Sequence, residues 1–168
     1  MTFYCHSNEL EGVTALLDIA SRMAVRLVDE QRAALEQTAE ILARARRTHN
    51  RVYMAGAATP ALRAFLSDAG FLAHALPNVV TTLPNEAGPS DVLLAFAPGS
   101  GLDSLIAEAR VRALTTVGLC SEAAELGDTD VSIAVPGVDD DSVLSAYCFV
   151  MSVMARGAEA RSTAADAA

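Results

Sequence analysis

At Arg51 the hydrophobic period of this chain changes. Before it, Leu10, Val13, Leu16, Leu17 and Ala20, then Leu35, Ala39, Leu42 and Ala45, recur at spacings of three and four, as helices require. After it come five short runs of strand character. They are "RVYMAGA" (51–57), "FLAHALP" (71–77), "VLLAFA" (92–97), "TTVGLC" (115–120) and "VSIAVP" (131–136). The run at 92–97 is apolar at every position, so both of its faces must be covered. Strands of that kind belong to parallel sheets lying between helical layers. The alternation predicts an α/β fold of three layers, with five parallel strands in flavodoxin-like order and two helices ahead of the first strand.

Punctuation supports this division. Pro60 in a first turn and Gly70 just past a last turn bound a helix over 60–70. A second helix is expected over "LDSLIAEARVRA" (102–113), and one or two helical turns over "SEAAELG" (121–127). "NVVTTLPNEAGPSD" (78–91) has no period and reads as an irregular connection. Within the N-terminal helical region, 8–48, "VDEQ" suggests a break and restart with Asp29 as N-cap, and His49–Asn50 closes the second helix. The βα core spans 51–136. A last helix over 139–157 opens on Asp139, Asp140 and Asp141, where the helix dipole favours acids. The chain is expected to be one domain over 1–160, followed by a disordered tail at 161–168.

Composition narrows the function. The chain has 168 residues, long enough for one sizeable core. It is 52% hydrophobic but only 5% aromatic, so that core is built from Ala, Leu and Val. All 12 cationic residues are arginine, which excludes a Schiff-base lysine and a P-loop lysine. A net charge of −9 without a concentrated basic face argues against nucleic acid as partner. "RARR" (Arg44–Arg47) reads as cations complementing a helix C-terminus. Cys5, Cys120 and Cys148, like His6, His49 and His74, are scattered without metal-ligand spacing, so neither a disulfide framework nor a metal or cofactor is expected. The N-terminus does not resemble a signal peptide, and no apolar run is long enough for a membrane helix. A cytoplasmic protein with no membrane partner is the expectation.

In parallel sheets, ligands bind beyond the carboxyl ends of the strands. Three such ends stand out: "GAATP" after the first strand, "APGSG" after the third and "CSEAA" after the fourth. Gly99, Ser100 and Gly101 supply a flexible turn running into a helix N-terminus, the ingredients of an anion cradle. Pro98 removes one donor, and Asp103 places a negative charge in the first turn.

Two helices, a five-stranded βα run and a final helix over Leu10–Arg156 resemble the sugar isomerase (SIS) domain, most closely its 6-phospho-3-hexuloisomerase branch. In that family the first- and third-strand turns hold a sugar phosphate with hydroxyls and backbone amides. The resemblance implies that Gly56 and Thr59, then Gly99, Ser100, Gly101 and Asp103, and Ser121 after the fourth strand, contact such a ligand. Departures from the family pattern are Ala58 for a second glycine, Pro60 for a serine, Pro98 for the first serine of the third-strand turn, and Leu102–Asp103 for Glu-Thr. Ser145 stands where the branch places a catalytic glutamate.

Three readings follow. A phosphorylated sugar or related carbohydrate is bound with catalysis absent or altered. Alternatively, an active aldose–ketose isomerase draws its base from Glu86, His74 or Asp139–Asp141; the catalytic residue is not identified, and His74 among apolar neighbours also reads as a core histidine. A structural or regulatory partner that binds no sugar is the third. A homodimer or dimer of dimers is expected, with the N-terminal helices at an interface.

Overall fold

The apolar run at 92–97 becomes the middle strand of the molecule. The computed structural model describes residues 21–22, 25–56, 59–77, 82–97, 101–121, 126 and 128–135. Within them β1 (Arg51–Gly56), β2 (Leu72–Ala75), β3 (Val92–Phe96), β4 (Thr115–Ser121) and β5 (Val131–Val135) form one sheet. Its order is β2-β1-β3-β4-β5 and every pairing is parallel. This is the flavodoxin-like order that the sequence implies.

Three helices have both ends within the described residues: α1 (Arg32–Arg47), α2 (Thr59–Asp68) and α3 (Leu102–Val111). Because successive strand residues point to opposite faces, the core divides in two. Val52, Met54, Leu94, Phe96, Val117 and Leu119 are buried with Leu35 and Leu42 of α1 and Leu62 and Leu66 of α2. Tyr53, Ala55, Leu93 and Ala95 are buried on the other side with Leu102, Leu105 and Ile106 of α3. Leu76, Leu83 and Ala87 of the β2–β3 connection close that second face.

All three helices end in the same way. The second residue beyond each C-cap donates its N–H to the carbonyl six positions earlier, counted inclusively: Asn50 to Ala45 (2.9 Å), Phe71 to Leu66 (3.0 Å) and Leu114 to Ala109 (2.9 Å). This Schellman geometry requires one residue with positive φ. Gly70 supplies it at 82°, but His49 at 54° and Ala113 at 60° do so without glycine's freedom.

The expected break before α1 lies elsewhere. Residues 25–30 are helical, so Asp29 lies inside a helical segment and is not an N-cap. The bend falls at Gln31, whose N–H still donates to the Leu27 carbonyl and whose carbonyl accepts from Leu35, both at 2.9 Å. The ladder runs through the bend, and Gln31 makes no side-chain cap hydrogen bond. At other boundaries, β1 stops at Gly56, β4 continues to Ser121 and α3 ends at Val111.

The expected helices over 8–20 and 139–157, most of the turns over 121–127, and the tail at 161–168 lie outside the described residues. Among the described residues no helix is long and apolar enough to cross a membrane.

Candidate functional site

The two ends of the sheet are built from different chemistry. At the amino end, carboxylates fasten the strands. Asp91 immediately precedes β3; its Oδ1 accepts the Arg51 N–H at 2.8 Å and its Oδ2 accepts the Gly88 N–H at 3.1 Å. The Arg51 guanidinium lies 3.9 Å from the same carboxylate and donates to the Glu86 carbonyl at 2.9 Å. Asp130 does similar work ahead of β5. Its Oδ2 accepts the Thr116 N–H at 2.7 Å and the Thr116 hydroxyl at 2.8 Å, and its own N–H donates back to that hydroxyl at 2.9 Å. Each aspartate meets backbone donors that the start of a parallel ladder leaves open. Neither residue belongs to a site motif in the sequence. Their shared signal is an aspartate immediately before a valine that opens an apolar run, "DVLLAF" and "DVSIAV".

At the carboxyl end the backbone itself is the material. Gly56 pairs with Phe96, and Phe96 with Leu119, so the ends of β1, β3 and β4 stand side by side. Gly56 has φ of 96°, and a Cβ there would lie 1.9 Å from the Phe96 carbonyl oxygen. Only glycine fits. Gly101, at φ of 79°, is the N-cap of α3 and carries no side chain to cap it. The first N–H groups of α3 are therefore open to backbone, water or ligand partners.

The connections from β1 and β3 run to opposite faces, α2 toward one core and α3 toward the other. The gap between those two strands is the point where strand order reverses, the usual ligand crevice of such a sheet. Around it the structure gathers Gly56, Gly101 and the first-turn residue Asp103, which is exposed. Thr59 opens α2, and Ser121 ends β4 in register with Val135. Gly99 and Ser100, with Pro98, lie outside the described residues. Leu102, at the position where the family resemblance expects glutamate, is buried in the α3 core.

Other candidates fall elsewhere. Glu86 is exposed beside Arg51 at the amino end. The rise of β1 separates it from Gly56 by about 17 Å. His74 is not a core histidine: it is exposed on β2, the outer strand, in register with Tyr53. An edge strand leaves one flank open, and apolar sequence neighbours did not reveal that. Its ring lies against Tyr53, with centroids 5.4 Å apart and planes inclined at 31°. Tyr53 is itself buried, and its hydroxyl has no hydrogen-bond partner of good geometry among the described residues. Burial raises its pKa above the ordinary phenol value; Arg51 opposes the rise, and Asp91 and Glu86 add to it. Asp139–Asp141 lie outside the described residues. Among the described residues no cluster of His, Cys, Asp and Glu has the makings of a metal site.

No protein-family model matches the chain, and no curated protein does. Solved structures do. Phosphoheptose isomerase GmhA from Neisseria gonorrhoeae superposes with a TM-score of 0.70 at 16% identity, over 90% of this chain and 98% of that one. A phosphoheptose isomerase from Francisella tularensis gives 0.67 at 12% identity, over 89% and 97%. The C-terminal domain of glucosamine-fructose-6-phosphate aminotransferase from Francisella tularensis gives 0.62 at 11% identity, over 94% of this chain but 46% of that one. At these identities the likeness is one of fold.

Proposed function

We propose that this chain is a SIS-type protein that binds a phosphorylated sugar, or a related anionic carbohydrate, at the carboxyl edge between β1 and β3. The observation that carries this reading is the pair of left-handed glycines, Gly56 and Gly101, at the two strand–helix junctions bounding the reversal of strand order. Gly101 brings backbone to the α3 N-terminus without a side chain, where N–H groups and the helix dipole favour an anion. Gly99 and Ser100 precede it in the sequence, and Thr59 and Ser121 stand at the flanking junctions, at the start of α2 and the end of β4. Asp103 weakens a bare phosphate site and suits hydroxyl donors of a sugar. The fold neighbours named as phosphoheptose isomerases and as a glucosamine-fructose-6-phosphate aminotransferase support a phosphosugar as the ligand class.

Catalysis is absent or altered in this reading. Isomerisation through an enediol needs a base at the acidic carbon and a partner to shuttle protons. Glu86 stands at the other end of the sheet, and His74 lies about 10 Å of strand short of Gly56. A second reading, an active aldose–ketose isomerase with a base from Asp139–Asp141, is favoured by the isomerases among the fold neighbours. In either case the chain acts in the cytoplasm as a homodimer or dimer of dimers.

A thermal-shift screen of hexose and heptose phosphates tests the binding claim. Ligand at 100 times its Kd adds about 2.7 kcal/mol, which raises Tm by about 5–10 °C in a chain of this size. No shift with any of them at millimolar concentration refutes it. Turnover of a bound aldose or ketose phosphate selects the isomerase reading.

A further inference from the structure

A second polar recess lies at the opposite end of the sheet from the proposed sugar site. Gln37, Glu40, Arg44 and Arg47 on one face of α1 meet Thr115 and Asp130, at the starts of β4 and β5, around a groove of about 280 Å³. That volume is near the lower end of the range for small-ligand sites. Two of its lining side chains are arginines that converge on one recess. Arg26, Arg51, Arg110 and Arg112 each face a carboxylate, on Glu30, Asp91, Asp128 and Glu108. The side chains of Arg44 and Arg47, one turn apart, have no hydrogen-bond or ion-pair partner among the described residues.

We propose that this groove binds a small phosphate-type oxyanion carried on a hydroxyl-bearing body. Two guanidiniums one turn apart match the planar, bidentate recognition of a phosphoryl group. Glu40 and Asp130 balance their charge, so a compact polyanion gains little there. A body with hydroxyl donors gains more. The Oδ2 of Asp130 is held by Thr116, and its Oδ1, without a hydrogen-bond partner among the described residues, is free to accept a hydroxyl. Occupation tightens the junction of β4 and β5 and leaves the carboxyl edge untouched.

Calorimetric titration of the full chain with glycerol 3-phosphate and with inorganic phosphate tests this, in a Gly101→Val background that silences the proposed carboxyl-edge site. Glycerol 3-phosphate should bind more tightly than phosphate. Arg44→Gln with Arg47→Gln should weaken it at least tenfold. Arg46→Gln removes one positive charge, half the change of the double variant, beside the groove but does not line it, and should stay within twofold. Should Gly101→Val not fold, amide NMR of the wild-type chain serves, with shifts expected at Thr115 and Asp130. No binding at millimolar ligand, an unchanged affinity in the double variant, an equal loss in Arg46→Gln, or NMR shifts confined to residues 101–104 would each overturn the proposal.

Discussion

The amino end of the sheet is held by side chains and the carboxyl end by the absence of them. Asp91 and Asp130 each direct a carboxylate oxygen to the backbone N–H of a neighbouring strand, and the second oxygen of Asp91 accepts the Gly88 N–H. Gly56 and Gly101 do the reverse: Gly56 lets two main chains approach closely, and Gly101 starts a helix without a capping side chain of its own. One end fixes register, and the other offers donors. Substitutions at the two ends should therefore separate stability from ligand affinity.

The largest effect is expected at Gly56. Gly56→Ala meets the Phe96 carbonyl at 1.9 Å and strains a positive φ. A loss of about 4 kcal/mol, or failure to fold, should appear in urea denaturation. A loss under 1 kcal/mol would mean that the close approach is dispensable. Asp91→Ala comes next. It strips acceptors from two backbone N–H groups and a partner from Arg51, at about 3 kcal/mol. Affinity for a sugar phosphate should not change in the surviving folded protein. If affinity falls in parallel with stability, the division between the two ends collapses.

Most of the architecture is legible in the sequence because periodicity reports burial. The apolar run at 92–97 could only be a central strand, and the glycine at Gly70 could only follow a helix. What sequence could not reveal depended on contacts between distant segments. Asp91 acts on Arg51, 40 positions away. The exposure of His74 follows from the outer place of β2 in the sheet. The turns at His49 and Ala113 use left-handed residues where glycine was the only local signal available. In the candidate site, Gly56 and Gly101 were recognisable as small residues at strand ends, but the 1.9 Å constraint on Gly56 lies in its partner strand.

Tyr53 sharpens the picture of the amino half. Its raised pKa means that the unfolded chain ionises first on going above pH 10, while the folded chain keeps the phenol neutral. Stability contributed by this group is complete below pH 10 and is lost as pH rises toward the folded value. Tyr53→Phe should flatten that alkaline loss and leave stability at pH 7 equal or higher, since the buried hydroxyl lacks a well-formed hydrogen bond. An unchanged alkaline slope would assign the loss to other groups.

The smallest effect concerns the helix ends. Ala113→Gly relieves a left-handed alanine at φ of 60° and should stabilise by about 0.5–1 kcal/mol, the strain relieved exceeding the added entropy of the unfolded chain. Chemical denaturation resolves a change of that size, and a net destabilisation would show that the turn is not strained.

The central claim is that ligand donors reside at the carboxyl edge and not among the aspartates. Amide NMR during titration with a heptose or hexose phosphate tests it most directly. The account predicts shifts and exchange protection at Gly56, Gly101 and residues 102–104, with Arg51 and Gly88, the contacts of Asp91, unmoved. Perturbation concentrated at Arg51 and Gly88, with residues 101–104 silent, would contradict it.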